Sequence, residues 1–264
     1  MTAGGGPIAV FGCGLVGASA AAGWSASGHE VWGSDRRDLG PLVARGWIAR
    51  QVPVEALEEA AVVVLALPVG GIVAALRRLP WRAGQLLTDV GSVKGAVMTA
   101  AAALPDGVSF VGGHPFAGSE ASGYEAARPD LFAGASWALV GDGDPLARVA
   151  SLVRNLGALP VTCGAAEHDR VVALTSHLPQ LLATAVAAEL ENRADPLATA
   201  LLGPAGRDFL RLAGSSFTVW RDILDQNRPE LERALAAVTA RASQPAGALE
   251  GEFELARALA ARLR

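Results

Sequence analysis

Short apolar blocks alternate with longer amphipathic or small-residue stretches over the first 160 residues, and then the blocks stop. Residues 8–11, 62–66 and 86–89 are short apolar runs that read as buried strands, and residues 30–34 read as a further strand after the first helix. Residues 15–27, 71–79 and 93–104 are helical stretches lying between or after them. Strands separated by helices predict a parallel sheet. Residues 109–111, 136–140 and 159–162 supply further strands, with a helix at 145–156. Beyond Gly164 the period changes, and residues 165–190, 196–202, 217–226, 229–242 and 248–263 are helical in pattern. Two of these restart on a capping residue with a proline just behind it, Asp195-Pro196 and Asn227-Arg228-Pro229. The pattern predicts an α/β domain over residues 1–164 with a mostly parallel sheet, followed by an all-helical domain over 165–264.

The turn after the first strand carries Gly12-Cys13-Gly14-Leu15-Val16-Gly17, a G-x-G-x-x-G sequence at the mouth of a helix. Bare backbone amides and the helix dipole at such a turn hold a pyrophosphate. Glycine triplets arise by accident in a chain with 31 glycines, so position carries the inference. Asp35 stands 18 residues after Gly17, at the end of the second strand, where a carboxylate accepts from a ribose 2′-hydroxyl and repels a 2′-phosphate. The expected cofactor is therefore NAD. Arg36 and Arg37 beside Asp35 leave NADP open, because guanidinium groups stack on adenine or tolerate the extra phosphate. Cys13 reads as a small buried filler.

A formal net charge of −4 gives no field for nucleic acid or an anionic membrane surface, and neither is an expected partner. No apolar stretch is expected to span a bilayer once glycines, prolines and charges are counted. Two cysteines, Cys13 and Cys163, form no disulfide framework, and no signal-peptide pattern opens the chain, so a reducing cytoplasm is expected. Of 22 basic residues, only Lys94 is a lysine. It follows Asp89-Val90-Gly91-Ser92-Val93, and reads either as a point charge placed toward a cofactor or as a chance survivor on a helix surface.

Gly112-Gly113-His114-Pro115-Phe116-Ala117-Gly118-Ser119-Glu120 sets an imidazole, a hydroxyl and a carboxylate among glycines after an apolar strand. Ser92 and His114 follow successive strands and both project from the carboxyl edge of the expected sheet. An imidazole there suits the base that takes a hydroxyl proton as hydride leaves the same carbon, and Ser92 orients it or shares the hydroxyl. His168 and His177 read as structural helix histidines. Pro179, inside a helical stretch, frees the Thr175 carbonyl and predicts a kink beside His177.

Five ordered motifs resemble the prephenate and arogenate dehydrogenases. They are the Gly12–Gly17 loop, the Asp89-to-Gly95 run, the Gly113-to-Glu120 run, His168-Asp169 with Ser176-His177-Leu178-Pro179, and Arg207-Asp208-Phe209-Leu210-Arg211 with Trp220-Arg221-Asp222-Ile223. The resemblance implies a Rossmann domain followed by a helical domain through which the protein forms a homodimer. It further implies NAD-dependent oxidative decarboxylation of a small cyclohexadienol bearing a ring carboxylate, without metal. By matching position, His114 bonds the ring hydroxyl, Ser92 assists it, and Arg211 binds the ring carboxylate. Spacing alone also fits Arg211 to a surface pair with Asp208. Ser119, Glu120, Gln180, His177 and Trp220 join the substrate side, and Gly12, Gly14, Leu15, Val16, Gly17, Asp35, Arg36 and Lys94 the cofactor side. Gln180 replaces a second histidine seen in many relatives that prefer prephenate, which leaves arogenate as an alternative substrate. Trp220 is expected to approach a partner subunit's site or to pack in the core.

Two other readings use less of the chain. A different Rossmann-plus-helical hydroxyacid dehydrogenase or imine reductase accounts for the glycine loop but not for His114 with Ser92. A non-enzymatic NAD-sensing module needs only the first 164 residues and has no basic patch to act through.

Overall fold

The computed structural model describes residues 6–118 and 123–263. Ser119 and Glu120 lie outside the described residues. Eight strands form one sheet: β1 (Ile8–Phe11), β2 (Val31–Ser34), β3 (Arg50–Gln51), β4 (Val62–Leu65), β5 (Leu86–Asp89), β6 (Ser109–Pro115), β7 (Ser136–Val140) and β8 (Leu159–Thr162). Their order is β3-β2-β1-β4-β5-β6-β7-β8, so the chain reverses direction across the sheet at β1. That reversal leaves a crevice beyond the carboxyl end of β1, where ligands of open α/β sheets bind. The helices of this part are α1 (Leu15–Ala26), α2 (Gly40–Ala44), α3 (Val69–Arg78), α4 (Gly95–Ala101) and α5 (Gly143–Asn155).

Continuous apolar strands follow from burial on both faces. Alternate residues of one strand serve two separate cores: Ile8 and Val10 belong to one cluster and Ala9 to the other. The first cluster is closed by α1 and α5 through Ala18, Ala21, Trp24, Val149 and Val153. The second is closed by α3 and α4 through Ile72, Leu76 and Val97. The run of alanines in α1 lets that helix lie close on the sheet, and Trp24 fills the remaining space and donates to the Leu152 carbonyl at 2.9 Å.

β6 differs from the expectation. Its first half pairs parallel with β5, ending at Thr88↔Val111, and its second half pairs antiparallel with β7 from Gly112↔Val140 to Pro115↔Trp137. His114 is therefore a strand residue opposite Ala138 and not part of a free loop. Gly113 permits this crossing, since a Cβ there would run into the Asp89 carbonyl oxygen and lie 3.0 Å from Trp137 Nε1.

After β8 come α6 (Ala165–Val172), α7 (Leu178–Arg193), α8 (Pro196–Ala200), α9 (Pro204–Leu210), α10 (Phe217–Gln226), α11 (Arg228–Ala242) and α12 (Glu250–Arg262). Two compact units result. One holds the residues up to Asp169 with Ser215–Gln226, and the other holds Arg170–Gly214 with Asn227–Arg264. α10 joins the sheet-bearing unit because Ile223 is buried in its second cluster and Asp222 Oδ2 accepts from the Gly70 amide at 3.3 Å.

Pro179 does not divide the long helical stretch. Residues Ala173–His177 form a π turn between α6 and α7. The proline offers no N–H to the Thr175 carbonyl and its ring crowds it, and a widened turn relieves both. Ala165–Arg193 is thus a 29-residue helical stretch that is long and apolar enough, by length and composition only, to cross a membrane, contrary to the expectation from counting breakers. Polar side chains within it bond inside the second unit: His177 to Asn227 of α11 and Gln180 to the Leu212 carbonyl.

Candidate active site

The glycine loop is shaped by close approaches on one side and open space on the other. Gly12 has φ +96°, and a Cβ on Gly17 would run into the Gly12 carbonyl oxygen. Gly14, by contrast, has nothing within 4 Å of where a Cβ would stand. Gly14 is also the N-cap of α1, which has no side-chain cap and no acid in its first turn, so its leading amides are free of internal anions. The loop thus has the open backbone that a dinucleotide pyrophosphate requires.

Asp35 holds this loop from the next strand. Its Oδ2 accepts from the Cys13 amide at 2.8 Å and its Oδ1 from the Arg37 amide at 3.0 Å. Burial pushes the carboxyl up, but those two amides and the Arg37 charge outweigh it and hold Asp35 below the usual carboxylate range. Arg37 is the guanidinium turned onto the loop: Nη2 donates to the Cys13 carbonyl at 2.9 Å, and the group stacks 4.9 Å from the Tyr124 ring centroid. Arg36 is exposed.

Between the glycines, burial and then the Asp35 charge push the Cys13 thiol up to about 12. The thiolate is the reactive form. Cys163 is only partly buried. Native alkylation with iodoacetamide is expected to label Cys163 first and Cys13 only on unfolding, and peptide mass mapping reads the order. Faster labelling of Cys13 would mean that the loop opens.

Three side chains form one hydrogen-bonded chain at the end of β6. His114 Nδ1 lies 2.9 Å from His168 Nε2, and His168 Nδ1 lies 2.8 Å from Asp169 Oδ1. The imidazoles meet edge to face with centroids 5.1 Å apart, and Phe116 covers His114 at 4.5 Å. Asp169 also accepts from the Lys94 and Gly95 amides at the start of α4, each at 2.7 Å. Burial pushes its carboxyl up, but the His168 bond and the two amides dominate and hold it low. His168 is 3 % exposed and His114 half-buried, so the chain runs from a buried anion toward the surface. Ser92, half-buried after β5, has no hydroxyl hydrogen bond among the described residues.

Lys94 is not on the cofactor surface. Its side chain is fully buried, with Nζ paired to Asp89 Oδ2 and donating to the Gly113 carbonyl at 2.6 Å. Asp89 in turn accepts from the Gly91 amide at 2.8 Å and the Gly113 amide at 2.9 Å. Burial lowers the ammonium's pKa, against the pull of Asp89 and Asp169. The pair ties β5, β6 and α4 together next to His114, and its full burial keeps the ammonium from the surface.

In the second unit, Gln180 and His177 are interior groups. Gln180 is 6 % exposed, and its Nε2 donates to the Leu212 carbonyl at 2.8 Å and to Thr184 Oγ1 at 3.3 Å. It therefore anchors the 3-10 turn Arg211–Gly214, which begins at the exposed Arg211. His177 is 1 % exposed, with Asn227 Nδ2 3.1 Å from its Nδ1. Trp220, on α10, packs partly buried against the second core cluster of the first unit.

The sequence places His168-Asp169 in a motif shared with the family but marks His168 as a structural histidine, and nothing in the order of residues brings the pair to His114.

Residues 25–161 match the nucleotide-binding domain of prephenate dehydrogenase, and residues 164–254 match its dimerization domain. A prephenate dehydrogenase of Lactococcus lactis is 33 % identical over 85 % of this chain, and the alignment spans 65 % of that relative's length. Synechocystis arogenate dehydrogenase superposes with a TM-score of 0.81 at 29 % identity, covering 96 % of both chains. Prephenate dehydrogenase of Aquifex aeolicus, solved with hydroxyphenyl propionate and NAD+, superposes at 0.84 with 26 % identity, covering 98 % of this chain and 96 % of that one. With both family domains matched in order and a sheet whose glycine loop and strand-end histidine fit a nucleotide-dependent oxidoreductase, this chain belongs to the prephenate dehydrogenase family.

Proposed function

We propose that this protein is an NAD-dependent dehydrogenase that converts prephenate to 4-hydroxyphenylpyruvate by oxidation and decarboxylation, with arogenate as the competing substrate. The observation that carries the reading is His114, presented at the end of β6 with its other nitrogen held by the His168–Asp169 pair. The open Gly14 and uncapped α1 fit a dinucleotide, and Asp35 at the end of β2 favours NAD over NADP. The bound cofactor supplies a hydride acceptor.

His114 takes the proton of the ring hydroxyl as the carbinol carbon loses hydride. The resulting ring ketone receives the electron pair released with CO2, and the product becomes an aromatic phenol. Aromatisation drives that loss, so the residues need only orient, deprotonate and bind an anion. Arg211, in the family's carboxylate position, suits the ring carboxylate because guanidinium binds it through two parallel hydrogen bonds.

NADH formation with prephenate and with arogenate, each with NAD and NADP, tests the reading. Turnover of prephenate with NAD is expected, and no turnover of either substrate would leave only the fold. Arg211→Ala is expected to raise the substrate KM about 30-fold, the worth of one charge-assisted contact at ~2 kcal/mol. An unchanged KM would move the carboxylate site elsewhere, with Arg207 next to be tested.

The second unit leaves Leu197, Leu201, Phe253 and Leu255 more than 60 % exposed, more apolar surface than a small helical unit keeps in water. This supports a homodimer through the helical unit. Light scattering is expected to return twice the 26.9 kDa chain mass. A single monomer peak at working concentration would overturn it.

A further inference from the structure

We infer that Gln51 is a positioning residue for cofactor selection: its side-chain amide holds the loop from Asp35 to Leu39 in the shape that keeps Arg37 turned onto the Cys13 carbonyl, and so withheld from a 2′-phosphate. The inference rests on the reading of Asp35 as the residue that favours NAD.

The loop begins at the end of β2 and ends in the core. Leu39 is fully buried in the first cluster, whereas Arg36, Arg37 and Asp38 are exposed, so apolar packing fixes one end and leaves the middle to hydrogen bonds. Gln51 supplies three of them from the neighbouring strand: its Nε2 donates to the Arg37 carbonyl at 2.9 Å and to the Asp35 carbonyl at 3.2 Å, and its Oε1 accepts from the Leu39 amide at 2.9 Å. Both amide hydrogens and one oxygen lone pair are thereby used. The group fits only one way round, since turned over its oxygen would face two carbonyl oxygens and its NH2 a backbone N–H.

Holding β3 in the sheet does not require these bonds. Backbone pairing already joins it to β2, with Gly33 opposite Gln51 and the Val52 amide on the Gly33 carbonyl at 2.8 Å. What the side chain adds is the path of the loop. It grips the peptide units before and after the one whose N–H, that of Arg37, reaches Asp35 Oδ1 at 3.0 Å. From that backbone position the Arg37 guanidinium donates to the Cys13 carbonyl at 2.9 Å and stacks on the Tyr124 ring. An arginine committed in this way offers less of its fork to a phosphate, and the Asp35 carboxylate beside it repels one. If the loop is released, the two effects separate. Asp35 keeps the Cys13 amide at 2.8 Å, while Arg37 is free to turn outward and compensate the carboxylate.

Titrations of the full-length protein with NADH and with NADPH, followed by nicotinamide fluorescence, test this without any substrate. The parent is expected to bind NADH more tightly. Gln51→Met keeps the length of the stem and removes the amide, and Gln51 lies on an exposed two-residue edge strand, so the substitution spares the core. In this variant the ratio of the NADPH Kd to the NADH Kd is expected to fall about tenfold, the scale of one hydrogen bond, mainly through tighter NADPH. Adding Gln51→Met to Arg37→Leu should bring no such gain for NADPH, because the cation that Gln51 restrains is gone. A glutamine that only stabilised the loop would weaken both cofactors alike. An unchanged ratio in Gln51→Met would therefore overturn the inference, as would a gain for NADPH that persists in the Arg37→Leu background. A parent that binds the two cofactors equally would overturn the reading of Asp35 and this inference with it. A parent that prefers NADH, with the preference kept in full by Gln51→Met, overturns this inference alone.

Discussion

Replacing His114 with Asn is expected to lower kcat about a thousandfold, the middle of the range for a general base, and to leave NAD affinity unchanged. The prediction follows from where the side chain stands. His114 is at the end of β6, its Nδ1 is committed to His168, and its backbone pairs with Ala138 of β7. The asparagine amide retains polarity and fits the strand, so the fold and the glycine loop should survive. Steady-state kinetics with prephenate and a fluorescence titration with NADH separate the two readouts. A variant that loses cofactor binding in step with turnover would show that His114 supports the loop rather than the chemistry. One with full turnover would move the base to the helical unit, as in other Rossmann-plus-helical dehydrogenases.

Lys94→Met is expected to destabilise the protein by about 3–5 kcal/mol, the cost of leaving one member of a buried ion pair without its partner. Asp89 would keep its two amide donors, Gly91 and Gly113, but would hold a buried negative charge with no cation beside it. Methionine matches the lysine stem in volume, so most of the loss is electrostatic rather than a cavity. Urea unfolding followed by circular dichroism measures it. The double variant Lys94→Met with Asp89→Asn removes both charges and is expected to recover part of the loss, since the pair's net worth is small compared with the cost of breaking it. Equal stabilities for the single variant and the parent would show that water reaches the pair. Because Lys94 also holds the Gly113 carbonyl, the single variant should loosen the strand end that carries His114, and its kcat should fall along with its stability.

Much of the fold was readable in the order of residues. β1, β4, β5 and β7 fall within a residue of where apolar runs place them, because a strand buried on both faces is apolar nearly throughout its length, and the exposed edge strand β8 is found by its β-branched Val161 and Thr162 after Gly157. The glycine loop was equally visible, since its spacing encodes a turn, an opening and a close contact in consecutive residues. β3, a two-residue exposed strand, and the short helix α9 left no comparable signal. Propensity in so few residues is weak, and tertiary pairing decides them.

The candidate site was only half legible. His114 announced itself through flanking glycines, but its partner lies 54 residues away and looked like any helix histidine. Lys94 stood out as the sole lysine, yet its burial depended on Asp89 reaching it from the adjacent strand. The resemblance puts Gln180 on the substrate side, and nothing near it in the chain shows that the Arg211–Gly214 turn supplies a carbonyl for its amide.

By itself, the sequence determined every strand but β3, which turn opens toward a dinucleotide, and which histidine stands at the sheet's edge. Each of those depends on neighbours a few residues apart. Only the tertiary structure decided the direction of β6 beyond Val111, the burial of Lys94 and the union of His114 with His168 and Asp169. Those are set by hydrogen-bond partners distant in the chain, and a donor's choice among distant acceptors is made by packing.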